Sequence, residues 1–184
     1  MPINIPAYTV NNFSFGPARL FLGAAGTTPS VDVGGITEDG CKISIINKKK
    51  DIYQGNPKLV AYTFSQEQAV EIEISGIEWD TDSFTYAVGA GNTTNTSNEE
   101  TFTFGGDPLV EKVAIHIQHY MAVSGHTMNA YVWQAVSNGD LEISMGHDEH
   151  KFPYKWKAQR ATTDWAGASL AYDAQLIKLY RQKT

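Results

Sequence analysis

Lys42-Ile-Ser-Ile-Ile-Asn47, Lys48-Lys-Lys-Asp-Ile-Tyr-Gln-Gly-Asn-Pro57 and Ala69-Val-Glu-Ile-Glu-Ile74 follow one another in the chain, and their reading decides the fold. Ile43 and Ile45 alternate with Ser44 and Ile46, and Val70, Ile72 and Ile74 alternate with Glu71 and Glu73. That two-residue period belongs to strands with unlike faces. One face is apolar and the other reads as acidic. Between the strands, Gly55, Asn56 and Pro57 are turn formers, so residues 48–57 read as a projecting loop.

Immediately after the second strand comes Trp79-Asp-Thr-Asp-Ser-Phe-Thr-Tyr-Ala-Val88. Asp80, Thr81 and Asp82 offer N-cap oxygens, Phe84, Ala87 and Val88 supply an apolar stripe, and Gly89 is placed to stop the helix. A helix of about two turns is expected, packed on the sheet through Trp79, Phe84 and Tyr86.

Working outward, residues 1–12 carry two prolines and little alternation and read as an extended arm. Residues 15–23 read as a short strand and 24–35 as a loop. The run 89–98, Gly-Ala-Gly-Asn-Thr-Thr-Asn-Thr-Ser-Asn, is almost wholly small and polar and is expected to be a flexible loop. Strands are expected at 100–104, at 109–120 with Val113, Ile115 and Ile117 on one face, and at 128–136. Asn138-Gly139, followed by Leu141-Glu-Ile-Ser-Met145, reads as a type I′ hairpin turn. Residues 151–160 read as a strand, 162–172 as a connector, and 174–180 as a last strand or short helix. About eight strands to one helix makes the chain mainly β: one domain spanning 1–184, an antiparallel β-sandwich or half-barrel with one flanking helix.

Composition narrows the function classes. The 184 residues carry a net charge of −6, which opposes sequence-independent nucleic-acid binding, since that needs a basic stripe to release counterions. The single cysteine, Cys41, excludes an intrachain disulfide framework. No signal-type N-terminus and no long apolar run points to export or to a membrane span.

Chemistry-bearing motifs are sparse. His147-Asp-Glu-His150 is the densest histidine cluster, but its spacing matches no zinc signature and reads as a solvated turn. His116 and His119, three apart on a strand, point to opposite faces. No nucleophile elbow or phosphate loop occurs, so no enzymatic activity and no cofactor are expected. Lys48, Lys49 and Lys50 read either as a solubilising tip or as a hook for an acidic surface on a neighbouring copy.

Taken in order, several stretches resemble the phage major tail tube proteins. They are Gly16-Pro-Ala-Arg-Leu-Phe-Leu-Gly23 with Ala24-Ala-Gly-Thr-Thr-Pro29, Asp32-Val-Gly-Gly-Ile-Thr37, the loop 48–57, the strand 69–77, the helix ending Tyr86-Ala-Val-Gly89, and the turn at Asn138-Gly139. The resemblance implies a subunit that closes with five copies into a hexameric β-barrel ring, the rings stacking into a tube for genome delivery. It implies that the 48–57 loop, through Lys48, Lys49, Lys50, Asp51, Tyr53 and Asn56, reaches the next ring, and that the terminal arms bridge subunits. Glu71, Glu73 and, less centrally, Glu142 would line a lumen that repels DNA in transit. Its partners would be itself and the tape measure, tail terminator and baseplate or tail-tip proteins. It would be assembled in the host cytoplasm and reside in the virion. Two alternatives stand beside it. One is a carbohydrate- or protein-binding β-sandwich using Trp133, Trp156, Trp165 and the histidines, and the other is a tube subunit of a phage-derived injection or secretion system.

Overall fold

A computed structural model describes residues 18–106, 110–121, 125–143 and 150–182, with the side chains of residues 38 and 39 excepted. The expected arm at 1–12, together with Phe15 and His147, lies outside the described residues.

The strands in chain order are β1 (Ala18–Ala24), β2 (Val31–Asp32), β3 (Ile36–Gln54), β4 (Leu59–Gly76), β5 (Asn92–Asn95), β6 (Glu100–Thr103), β7 (Val113–Met121), β8 (His126–Ser137), β9 (Phe152–Ala158) and β10 (Lys178–Gln182). Among the described residues the one α-helix, α1 (Thr81–Val88), follows β4, and a 3₁₀ turn (Tyr172–Ala174) precedes β10. The fold is mainly β and antiparallel. One sheet runs in the order β2-β1-β7-β8-β9-β4-β3, and β8 shares its far edge between β9 and β10. One core contains Leu20 and Leu22 of β1, Ile72 and Ile74 of β4, Ile115 of β7 and Trp156 of β9. Strands from both ends of the sheet can reach one core only if the sheet curls around it, which makes an open half-barrel.

Helix α1 forms as its caps dictate. Asp80 accepts from the backbone N–H groups of Asp82 and Ser83, and Gly89, at φ 70°, donates its N–H to Thr85 O at 2.9 Å. The helix lies across the core with Phe84 buried. Two of its last carbonyls, orphaned by helix geometry, are taken by the sheet: Trp156 Nε1 donates to Tyr86 O at 2.9 Å, and Ser137 Oγ to Ala87 O at 2.6 Å.

Three expectations are corrected. Residues 89–98 are not a flexible loop: Asn92–Asn95 pairs with Glu100–Thr103 as a two-stranded hairpin. It is pinned to α1 by Phe102, whose ring lies 6.1 Å from that of Phe84, so one aromatic residue beyond the polar run anchors it. Asn138-Gly139 is not a type I′ turn, because neither residue has positive φ. Instead β8 passes on to β9, Asn138 N donates to Lys155 O at 2.8 Å, and Leu141 packs toward the core. Residues 48–54 are strand, not loop; β3 and β4 form one continuous ladder whose turn is confined to 55–58.

Candidate functional site

The ladder of β3 and β4 leaves the body of the protein. Below Ile45 and Val70 its inner face lies on the core, whereas every residue from 47 to 68 is exposed. Seven residues of strand beyond Asn47 extend it by about 24 Å. Cross-strand pairs stiffen this arm: Lys48 Nζ to Glu67 Oε2 at 2.7 Å, Thr63 Oγ1 to Asp51 Oδ1 at 2.6 Å, and Ser65 Oγ to Asn47 Oδ1 at 2.6 Å. Register shifts at Lys48/Lys49 and Ile52/Tyr53 add local twist.

The arm is not simply polar. Ile52, Tyr53, Leu59, Val60, Tyr62 and Phe64 all stand in solvent, Leu59 at 67% exposure. Large apolar side chains gathered on one projecting element mark an interaction surface. Lys49 and Lys50 face Ser65 and Phe64 across the ladder, Tyr53 faces Val60, and Asn56 sits in the turn. The sequence reading named the lysines, Asp51, Tyr53 and Asn56 but missed Leu59, Val60, Tyr62 and Phe64. Their signal was the apolar content of 59–64, which is hard to weigh until both strands are known to leave the core.

β3 is also the last strand of its sheet. Among the described residues its outer edge has no strand partner along its 19 residues. Lysines on an edge strand oppose indiscriminate pairing with other strands, so Lys48, Lys49 and Lys50 have a protective role available to them as well.

The face expected to be acidic is charge-balanced. Glu73 stands between Lys42 on β3 (3.1 Å) and Lys155 on β9 (3.9 Å), and Glu71 lies between Ser44 and Lys157 in the same rows. The hydrogen bond and charge of Lys42, helped by Lys155, hold the Glu73 carboxyl below its ordinary range, and Lys48 does the same for Glu67. Lys42, Lys48, Lys155 and Lys157 thus offset Glu67, Glu71 and Glu73. The alternation of lysines in β9 was legible, but not that β9 would pair beside β4. Glu142 does not join this row; it is exposed on the segment after β8.

The helix residues divide. Phe84 is buried, Trp79 is 52% exposed with its ring edge-on to Phe84 (5.4 Å) and Phe152 (5.8 Å), and Tyr86 contributes its carbonyl to Trp156. Burial pushes the thiol of Cys41 up to about 11.

The tryptophans do not form one surface. Trp156 is fully buried in the core. Trp133 and Trp165 meet at 4.9 Å on the other side of the sheet, in a cluster with Tyr131, Tyr180 and His116. His116 Nε2 is 2.9 Å from Asn129 Oδ1 and its ring stacks on Phe21. Apart from the stack of His116 on Phe21, these rings pack edge to face or tilted against one another. Among the described residues no group of three or more His, Cys, Asp or Glu is placed to hold a metal ion, and no helix is long and apolar enough to cross a membrane.

Comparison with protein-family models finds no match, and comparison with curated proteins finds none.

Proposed function

We propose that this chain is a self-assembling structural subunit of the tail-tube type, polymerising as stacked hexameric rings into a conduit for genome delivery from a virion. The observation that carries this reading is the β3–β4 arm: a stiff hairpin, exposed throughout residues 47–68, bearing six large apolar side chains next to an unpaired sheet edge. Such an element is a liability in a monomer and an asset in a polymer, where a neighbouring copy covers its apolar face and the open edge. In this role the subunit has no catalytic task. Its partners are its own copies and the proteins that start, measure and end a tail.

One observation favours a second reading, a tube that passes protein in an injection system. The lysines that flank Glu71 and Glu73 on the neighbouring strands β3 and β9 offset the carboxylates that would repel phosphate along that face.

Negative-stain electron microscopy of the purified chain over a concentration series, with light scattering on the same samples, tests the structural role. Rings or hollow tubes are expected. Strictly monomeric particles at every concentration, with or without added tail-initiation proteins, would overturn it.

A further inference from the structure

At the root of the arm, where it leaves the core, lies an open groove of about 200 Å³ lined on its apolar side by Ile45, Ala69, Val70, Leu176 and Ile177, and otherwise by two amide side chains and one charged residue, Asp173. Its floor is apolar because Ala69 is small and because Leu176 and Ile177, just after the 3₁₀ turn, pack only partly onto the core. Ile45 at its rim is 60% exposed. At the far end of the same arm, Leu59 is exposed and preceded by Lys58 in the turn. The two ends are complementary: an apolar side chain beside a cation at the tip, and an apolar groove beside a carboxylate at the root.

The tip cannot reach its own groove. The cross-strand ladder from Ile45/Val70 to Gln54/Leu59 holds the two about 30 Å apart. Any union of tip and groove is therefore between copies, and when each copy passes its arm on to a third instead of exchanging arms with its donor, the contact is heterologous and propagates head to tail.

We propose that the arm of one copy inserts Leu59 into the root groove of the next copy, with Lys58 meeting Asp173. This rests on the self-assembly reading and adds the acceptor site to it. The anchor is a single large aliphatic group in an apolar groove with room for it, beside a charge pair that sets register.

The test uses the full chain and four variants: Leu59→Asp, Lys58→Glu, Asp173→Lys and the double reversal Lys58→Glu/Asp173→Lys. All three positions are exposed, so circular dichroism should match wild type. The readout is the protein concentration at which light scattering begins. Leu59→Asp and each single reversal should raise it about tenfold or more, and the double reversal should bring it back to within about twofold of wild type. Assembly of wild type with no rescue in the double reversal overturns the groove as acceptor and leaves the self-assembly reading standing. A wild type that never assembles overturns both. A second measurement pairs Leu59→Cys with Ile177→Cys in a Cys41→Ser chain. Oxidised assemblies should give a ladder of covalent multimers, and assembled particles without that ladder would overturn the proposal.

Discussion

The indole of Trp156, fully buried on β9, donates its N–H to the carbonyl of Tyr86 near the C-terminus of α1 at 2.9 Å. This bond ties the only helix among the described residues to the middle of the curled sheet, and it satisfies a carbonyl that the helix cannot satisfy itself. Trp156→Phe keeps an aromatic ring in the core but leaves that carbonyl unpaired and a void beside it. A loss of about 3 kcal/mol is expected, read from urea denaturation at unchanged m-value.

The Glu78 carboxylate is held against the backbone of Gly34 and Gly35. Gly35 N–H donates to Glu78 Oε1 at 2.7 Å, and a Cβ on Gly34, which sits at φ 80°, would collide with the Glu78 carboxylate. Gly34→Ala should cost about 1 to 2 kcal/mol from the left-handed backbone and the clash together. Adding Glu78→Ala should recover the clash part only, so that a double-mutant cycle of thermal melts is non-additive.

Lys42 depresses the carboxyl pKa of Glu73. In Lys42→Ala, carbon-detected NMR titration should show Glu73 moving back up toward the ordinary carboxylate value, with Lys155 retaining part of the effect. A depressed pKa in the folded chain means stabilisation present above the unfolded value and lost as pH falls through the folded one. Because the pair is exposed, that contribution is small and fades with salt.

Replacing residues 49–66 by Asn-Gly joins Lys48 to Glu67, which already face each other across the ladder. The core begins at Ala69 and Val70, so the shortened chain should keep wild-type near-ultraviolet circular dichroism and melt within a few degrees of wild type. It should no longer elongate. Tubes of normal length from this deletion would remove the arm from the assembly mechanism.

Cys41 should be slow toward thiol reagents. With its pKa raised from an ordinary 9.0 to about 11 by burial, the thiolate fraction near pH 8 is lower by about a hundredfold, and so is the expected rate of reaction with Ellman's reagent in native protein relative to denatured protein.

What the sequence by itself determined is local. The period of two in Ile43, Ile45, Ile72 and Ile74 placed β3 and β4, and the cap candidates Asp80, Thr81 and Asp82 with Gly89 bounded α1 to within two residues, because caps and pleats act over a few bonds. The mainly β, half-barrel class followed from the same counts. What only the tertiary structure decided is whatever depends on which strand lies beside which. β9 falls next to β4, so lysines interleave with Glu71 and Glu73 and the face is balanced, not acidic. Phe102 reaches Phe84, so a polar run becomes a hairpin. The demand of β8 for β9 outweighs the turn propensity of Asn138-Gly139, since a ladder anchored in the core gains more than one favoured turn. The arm shows the division most clearly. Its strands are legible in the chain, but that they outrun the core, leaving Leu59, Tyr62 and Phe64 in water, is a property of where the rest of the sheet stops.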